Sequence, residues 1–131
     1  MAEKEKFTVS NLDFEGKKIT LEMLIDEIPV GNIDLSICND DTFDQIINDN
    51  YYIYLDQLHV DQFFRKQGIA NKLMQKLDVV CGKYFRGYRH IVLSVNSFDG
   101  GELSEEVLKN FYRKFEFEEV AYTSKIMFKT F

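Results

Sequence analysis

Apolar and polar residues alternate along the first sixty positions, and then the period changes. Ile19, Leu21, Met23 and Ile25 alternate with Thr20, Glu22 and Leu24, which predicts a half-buried strand. Before it, Phe7 to Phe14 alternates more loosely and ends in the turn EGKK. After the turn DEIP, the run from Val30 to Ile37 places Ile33, Leu35 and Ile37 on one face. The stretch from Cys38 to Asn50 is rich in Asp and Asn and predicts a loop with room for a short helical turn. Tyr51 to Val60 reads as a long strand.

From Ile69 the apolar positions recur every three or four residues. Ile69, Leu73, Leu77, Val80, Cys81 and Tyr84 form one face of a helix, with Gly82 and Gly87 bracketing its end. His90 to Val95 (HIVLSV) is nearly continuous in apolar residues, as in a strand buried on both faces. NSFDGGEL then reads as a loop. Ser104 can cap the next helix, with Glu105 and Glu106 in its first turn and Arg113 and Lys114 near its end, each charge suited to the helix dipole. Val107, Leu108, Phe111, Tyr112 and Phe115 form its apolar stripe. Phe117 to Tyr122 and Lys125 to Phe131 close the chain as an antiparallel pair. The predicted order is β-β-β-β-α-β-α-β-β, a mixed α/β or α+β sheet with two main helices.

Composition narrows the class. At 131 residues, 45% hydrophobic and 15% aromatic, the chain is expected to fold as a single domain over 1–131 without disulfides or a structural metal. One proline, Pro29, and no Gly/Ser-rich stretch leave no candidate linker. Cys38 and Cys81 lie far apart, and His59 and His90 are the only histidines, so no zinc or other metal site is expected. The polar start MAEKEKF and the lack of any long apolar run imply a cytoplasmic protein that spans no membrane. The net charge of −6 is uneven: residues 1–62 carry 4 Lys/Arg against 14 Asp/Glu, and residues 63–131 carry 12 against 8. One part of the surface therefore suits an anionic ligand and another a cationic one. No dense basic stripe points to nucleic acid.

The change of sign falls at Arg65, at the head of RKQGIANKLM. A strand, a turn holding Gly68 and the start of a helix can present backbone N–H groups to an anion. With the strand end before it, L-H-V-D-Q-F-F-R-K-Q-G-I-A-N-K-L-M resembles the acetyl-CoA-binding motif of the GCN5-related N-acetyltransferase (GNAT) superfamily, Q/R-x-x-G-x-G/A, with Arg65, Gly68 and Ala70 at its defined positions. Downstream, LKNFYRKFEFEEV resembles the family's N-x-x-A-x-x-x-Y-x-x-x-G-F helix–strand signature. The resemblance covers a little over half the chain, from Leu58 to the C-terminus.

The resemblance implies a mostly antiparallel sheet with a V-shaped splay between strands 4 and 5, and acetyl-CoA as the acetyl donor. Its pyrophosphate would lie on the turn formed by Arg65, Lys66, Gln67, Gly68, Ile69, Ala70 and Asn71, where small residues let the backbone approach. The pantetheine arm would pair with Leu58, His59 and Val60, and an N–H near Leu58 would polarise the thioester carbonyl. Tyr112 stands at the position of the family's tyrosine that protonates the departing thiolate. For the base that takes the acceptor's proton, the strand offers Asp56, His59 and Tyr54. Asp56 is favoured, and a bulge would change the face it shares.

Three departures from the pattern stand out. Glu116 replaces the glycine before Phe117, so the helix must end without a left-handed glycine. Glu105 stands where an Asn is usual, with Asn96 or Ser97 as substitutes for its contact to the cofactor arm. The helical region between the first two strands is reduced, which implies a wide acceptor site for a protein lysine or N-terminus, or one completed in a homodimer. Two functions follow from the resemblance. One is direct acetyl transfer to a primary amine, of a small cationic molecule or a protein, in a ternary complex; the other is a catalytically inactive module acting through protein–protein contacts.

Overall fold

The computed structural model describes residues 4–11, 13–120 and 123–131, and for Thr123 and Ser124 the backbone alone. Its sheet is built from β1 (Glu5–Asn11), β2 (Lys18–Ile25), β3 (Ile28–Asn39), β4 (Tyr51–Val60), β5 (His90–Ser94), β6 (Phe98–Asp99), β7 (Glu118–Val120) and β8 (Thr123–Thr130). The strand order is β1-β2-β3-β4-β5-β8-β7, with β6 beside β4. Among the described residues, only the β4–β5 and β4–β6 pairs are parallel. The helices are α1 (Asp44–Ile47), α2 (Ile69–Gln75), α3 (Leu77–Tyr84) and α4 (Glu105–Arg113).

The period-two pattern of the first half produces what it predicts. Ile19, Leu21, Met23, Ile33 and Leu35 are all buried, packed with Leu55 and Leu58 of β4 against Ile69, Leu73 and Leu77. A smaller cluster of Ile47, Tyr52 and Val92, with Phe43, Tyr54, Ile126 and Phe128 against it, covers the other face near α1. The first hairpin turns at Asp13, whose carboxylate accepts from the Lys17 and Lys18 amides, so no helix lies between β1 and β2 among the described residues. Gly31 sits where a Cβ would lie 2.8 Å from the His59 carbonyl oxygen and 2.9 Å from Ile69 Cγ2. Its bare backbone lets the start of α2 settle on β3 and β4.

Several boundaries differ from the pattern. Phe14 is fully exposed in the turn beyond β1. Leu12, Ala121 and Tyr122, read as strand residues, lie outside the described residues, as does the start of MAEKEKF. The helix expected from Ile69 to Tyr84 is interrupted at Lys76 (φ −90°, ψ −10°), whose N–H bonds to Leu73 O. The apolar stripe crosses the break in phase, so burial continues while the backbone tightens. Tyr84 and Val107, read as buried, are 42% and 49% exposed. Gly82 lies inside α3, and Phe85 caps it.

The end of α4 forms without a glycine, as expected, and the structure shows how. Glu116 itself takes the left-handed conformation, φ 72°. Its N–H bonds to Arg113 O at 3.0 Å, and the Phe117 N–H reaches Tyr112 O at 3.3 Å. These are the paired bonds of a Schellman cap, formed without glycine. The other end follows its prediction: Ser104 Oγ accepts from the Val107 N–H.

Candidate active site

The strand–turn–helix around RKQGIANKLM forms a cradle. β4 ends at Val60, a 3-10 turn spans Gln62–Phe64, and α2 begins after Gly68 (φ 79°). The first helical bond runs from the Lys72 N–H to Gly68 O, so the amides of Ile69, Ala70 and Asn71 have no acceptor within the helix. Lys66, beside them, also holds a positive φ of 64°. Together Val60, Arg65, Lys66, Gly68, Ile69, Ala70 and Asn71 line a cavity of about 270 Å³. Seven of the residues singled out in the sequence thus meet around one space. The amides, the two cations and the lack of bulk at Gly68 and Ala70 fit an anionic ligand such as a pyrophosphate.

Leu58, His59, Gln67, Asn96, Tyr112 and Asp56 do not line this cavity. Leu58 of β4 is fully buried in the main core. Gln67 points back to Phe63 O at 3.5 Å. Asn96 lies in a 3-10 turn, its N–H bonded to Ser94 Oγ. His59 alternates away from Leu58 and Val60, and its Nδ1 lies 2.8 Å from Asp99 Oδ2. Arg65 is engaged as well: Nε donates to Val60 O, and NH2 lies 3.4 Å from Asp99 Oδ1.

Tyr112 is wholly buried between Phe111 and Phe117, and its hydroxyl has no hydrogen-bond partner. Burial alone pushes the phenol well above its ordinary pKa, so it stays protonated. A buried donor aimed at nothing in the protein is costly, and a ligand atom would relieve it.

Asp56 sits at a bulge. Asp34 faces Gln57 and Leu35 faces Leu55, which leaves Asp56 as the extra residue on β4. The bulge puts Asp56 on the face of Ser36, opposite Leu58. Ser36 Oγ donates to Asp56 Oδ2 at 2.8 Å. Desolvation raises the carboxyl's pKa, the Ser36 bond works against the rise, and Asp34 adds to it. Tyr54, the other strand candidate, stacks on Phe43 and is raised by burial, which unfits it to accept a proton.

A family model described as an acetyltransferase (GNAT) domain matches residues 20–119. The chain belongs to that family. Solved structures share its fold. Arabidopsis thaliana Naa50 in complex with the bisubstrate analogue CoA-Ac-MVNAL has TM-score 0.60 and 22% identity, over 86% of this chain and 72% of that one. The PaiA N-acetyltransferase of Thermoplasma acidophilum, bound to coenzyme A, has TM-score 0.58 and 19% identity, over 88% and 62%. A GNAT family acetyltransferase of Brucella melitensis, bound to acetyl-CoA, has TM-score 0.56 and 23% identity, over 86% and 58%. No curated protein sequence matches significantly.

The GNAT splay is present. β4 and β5 pair only over Ile53–Leu55 and Ile91–Leu93 and then part. Beyond the split, Leu58 and His59 pair with Phe98 and Asp99 of β6. Phe98, Gly100, Gly101, Glu102 and Leu103 complete the cavity, with Phe111 of α4. Sequence patterning gave no sign of this segment except the glycine pair in FDGGEL, because a two-residue strand has no period. Among the described residues, no group of three or more His, Cys, Asp or Glu could hold a metal ion. None of their helices is long and apolar enough to cross a membrane.

Proposed function

We propose that the protein transfers an acetyl group from acetyl-CoA to the primary amine of a cationic acceptor, either a small polyamine-like molecule or a protein lysine or N-terminus. The observation that carries this reading is the cavity at the β4–α2 turn, lined by Arg65, Lys66, Gly68, Ala70 and Asn71. On this reading the amides of Ile69, Ala70 and Asn71 hold the pyrophosphate, and Lys66 adds charge. Leu58, His59 and Val60 orient the pantetheine arm. Acetyl-CoA supplies the acetyl group as an activated thioester.

The chain's own side chains then move two protons. Asp56, its pKa raised by burial, takes one from the acceptor's ammonium, directly or through water, so that a neutral amine attacks the carbonyl. Tyr112 gives its hydroxyl proton to the sulfur as the C–S bond breaks and regains one from solvent afterwards. Asp34, Asp56 and Glu22 make the acceptor-side face acidic, which favours a cation.

Thermal melting tests the cofactor assignment. Acetyl-CoA at about 100 times its dissociation constant should raise the midpoint by roughly 8 °C. No shift at millimolar acetyl-CoA would remove the cavity from its role.

A further inference from the structure

The edge of β4 beyond the splay is closed by the protein's own chain. We propose that residues 97–103 form a displaceable strap that occupies the cofactor site when it is empty, and that coenzyme A binding drives the strap off β4. This rests on the reading of the cavity as a coenzyme A site. The register carries it first: Phe98 and Asp99 pair in parallel with Leu58 and His59, the strand end assigned to the ligand's arm. The strap also brings carboxylates to the cations of the cradle. Asp99 contacts both His59 Nδ1 and Arg65 NH2, and Glu102 lines the cavity alongside Lys66. Strand-like backbone and negative charge are the two features a pantetheine–pyrophosphate ligand presents, so the strap imitates the ligand it excludes.

The strap is built to move. Gly100 lies where a Cβ would come within 2.2 Å of the Phe98 ring, and Gly101 has φ 120°. Two adjacent glycines in such conformations let the chain fold sharply over Phe98 and unfold again. Its polar hold is two residue pairs and half-exposed ion pairs, which open cheaply, and Phe98 adds a partly buried contact with Phe111. A closed fraction lowers apparent affinity in proportion.

Amide hydrogen exchange on the full chain, with and without coenzyme A, tests this. Slower exchange at 65–71 together with faster exchange at 97–103 is expected on binding. Asp99→Ala should bind coenzyme A about two- to five-fold more tightly, since an exposed pair of that strength no longer holds the strap closed. Slower exchange at both segments, no change at 97–103, or unchanged or weaker binding by Asp99→Ala would overturn the strap and leave the coenzyme A site standing. If millimolar coenzyme A protects neither segment, the site itself falls and the strap with it.

Discussion

The hydroxyl of Tyr112 is the one buried side-chain polar atom without a partner among the described residues. In a protein that used this residue only for packing, phenylalanine would serve better. Tyr112→Phe is therefore expected to hold or raise stability in urea unfolding, by about 1 kcal/mol, because it removes an unsatisfied group. A stability loss above about 1 kcal/mol would show that the hydroxyl is satisfied in the folded protein. Asp56 makes the complementary case. Its carboxyl is raised above the ordinary 3.8, first by desolvation, so the folded chain binds this proton more readily than the unfolded chain. Ionised Asp56 thus opposes folding at neutral pH, and the opposition fades as pH falls through the raised folded value and is gone below the unfolded one. Asp56→Asn should raise stability slightly at pH 7, the gain limited by its exposure, and change nothing at pH 3. The same variant should lose about 100-fold in turnover if Asp56 takes the acceptor's proton. The turn position of Gly68 and the buried face of Tyr112 could be read from the sequence, because the strand–glycine–helix order and helical spacing record them. The face of Asp56 could not, since one bulge residue inverts the parity on which such a reading depends.

At the scale of elements, amphipathic period located β2, β3, β4 and α4 closely, because the buried face of each is recorded in its side chains, and a continuous apolar run located β5, which is buried on both faces. Backbone-determined features left weaker traces. The break at Lys76 keeps the apolar stripe in phase, and β6 is held by main-chain pairing over two residues. The cap of α4 is the clearest instance. The sequence shows that no glycine ends the helix but not what does: Glu116 itself turns left-handed, because the Schellman bonds and the burial of Phe117 outweigh a local strain of about 1 kcal/mol. Glu116→Gly should stabilise the protein by about that amount in denaturant titration. A destabilised variant would mean that Glu116 contributes more through its carboxylate, 4.0 Å from Lys129, than it loses in strain.

For the molecule as a whole, the charge asymmetry acquires a spatial meaning. Arg65 and Lys66, where the basic excess begins, line the cradle, and the acidic first half supplies the face that carries Asp34 and Asp56. Anionic donor and cationic acceptor would then approach different parts of one sheet, with the splay between β4 and β5 joining them. The most direct test of that account is the release of free coenzyme A thiol from acetyl-CoA, compared between the wild-type protein and Tyr112→Phe. A polyamine and a lysine-bearing peptide serve as acceptors. Amine-dependent release by the wild-type protein, about 100-fold slower in a fully folded Tyr112→Phe, is the predicted result. Undiminished release by the variant, or none by the wild-type protein at millimolar acetyl-CoA with either acceptor, would contradict it.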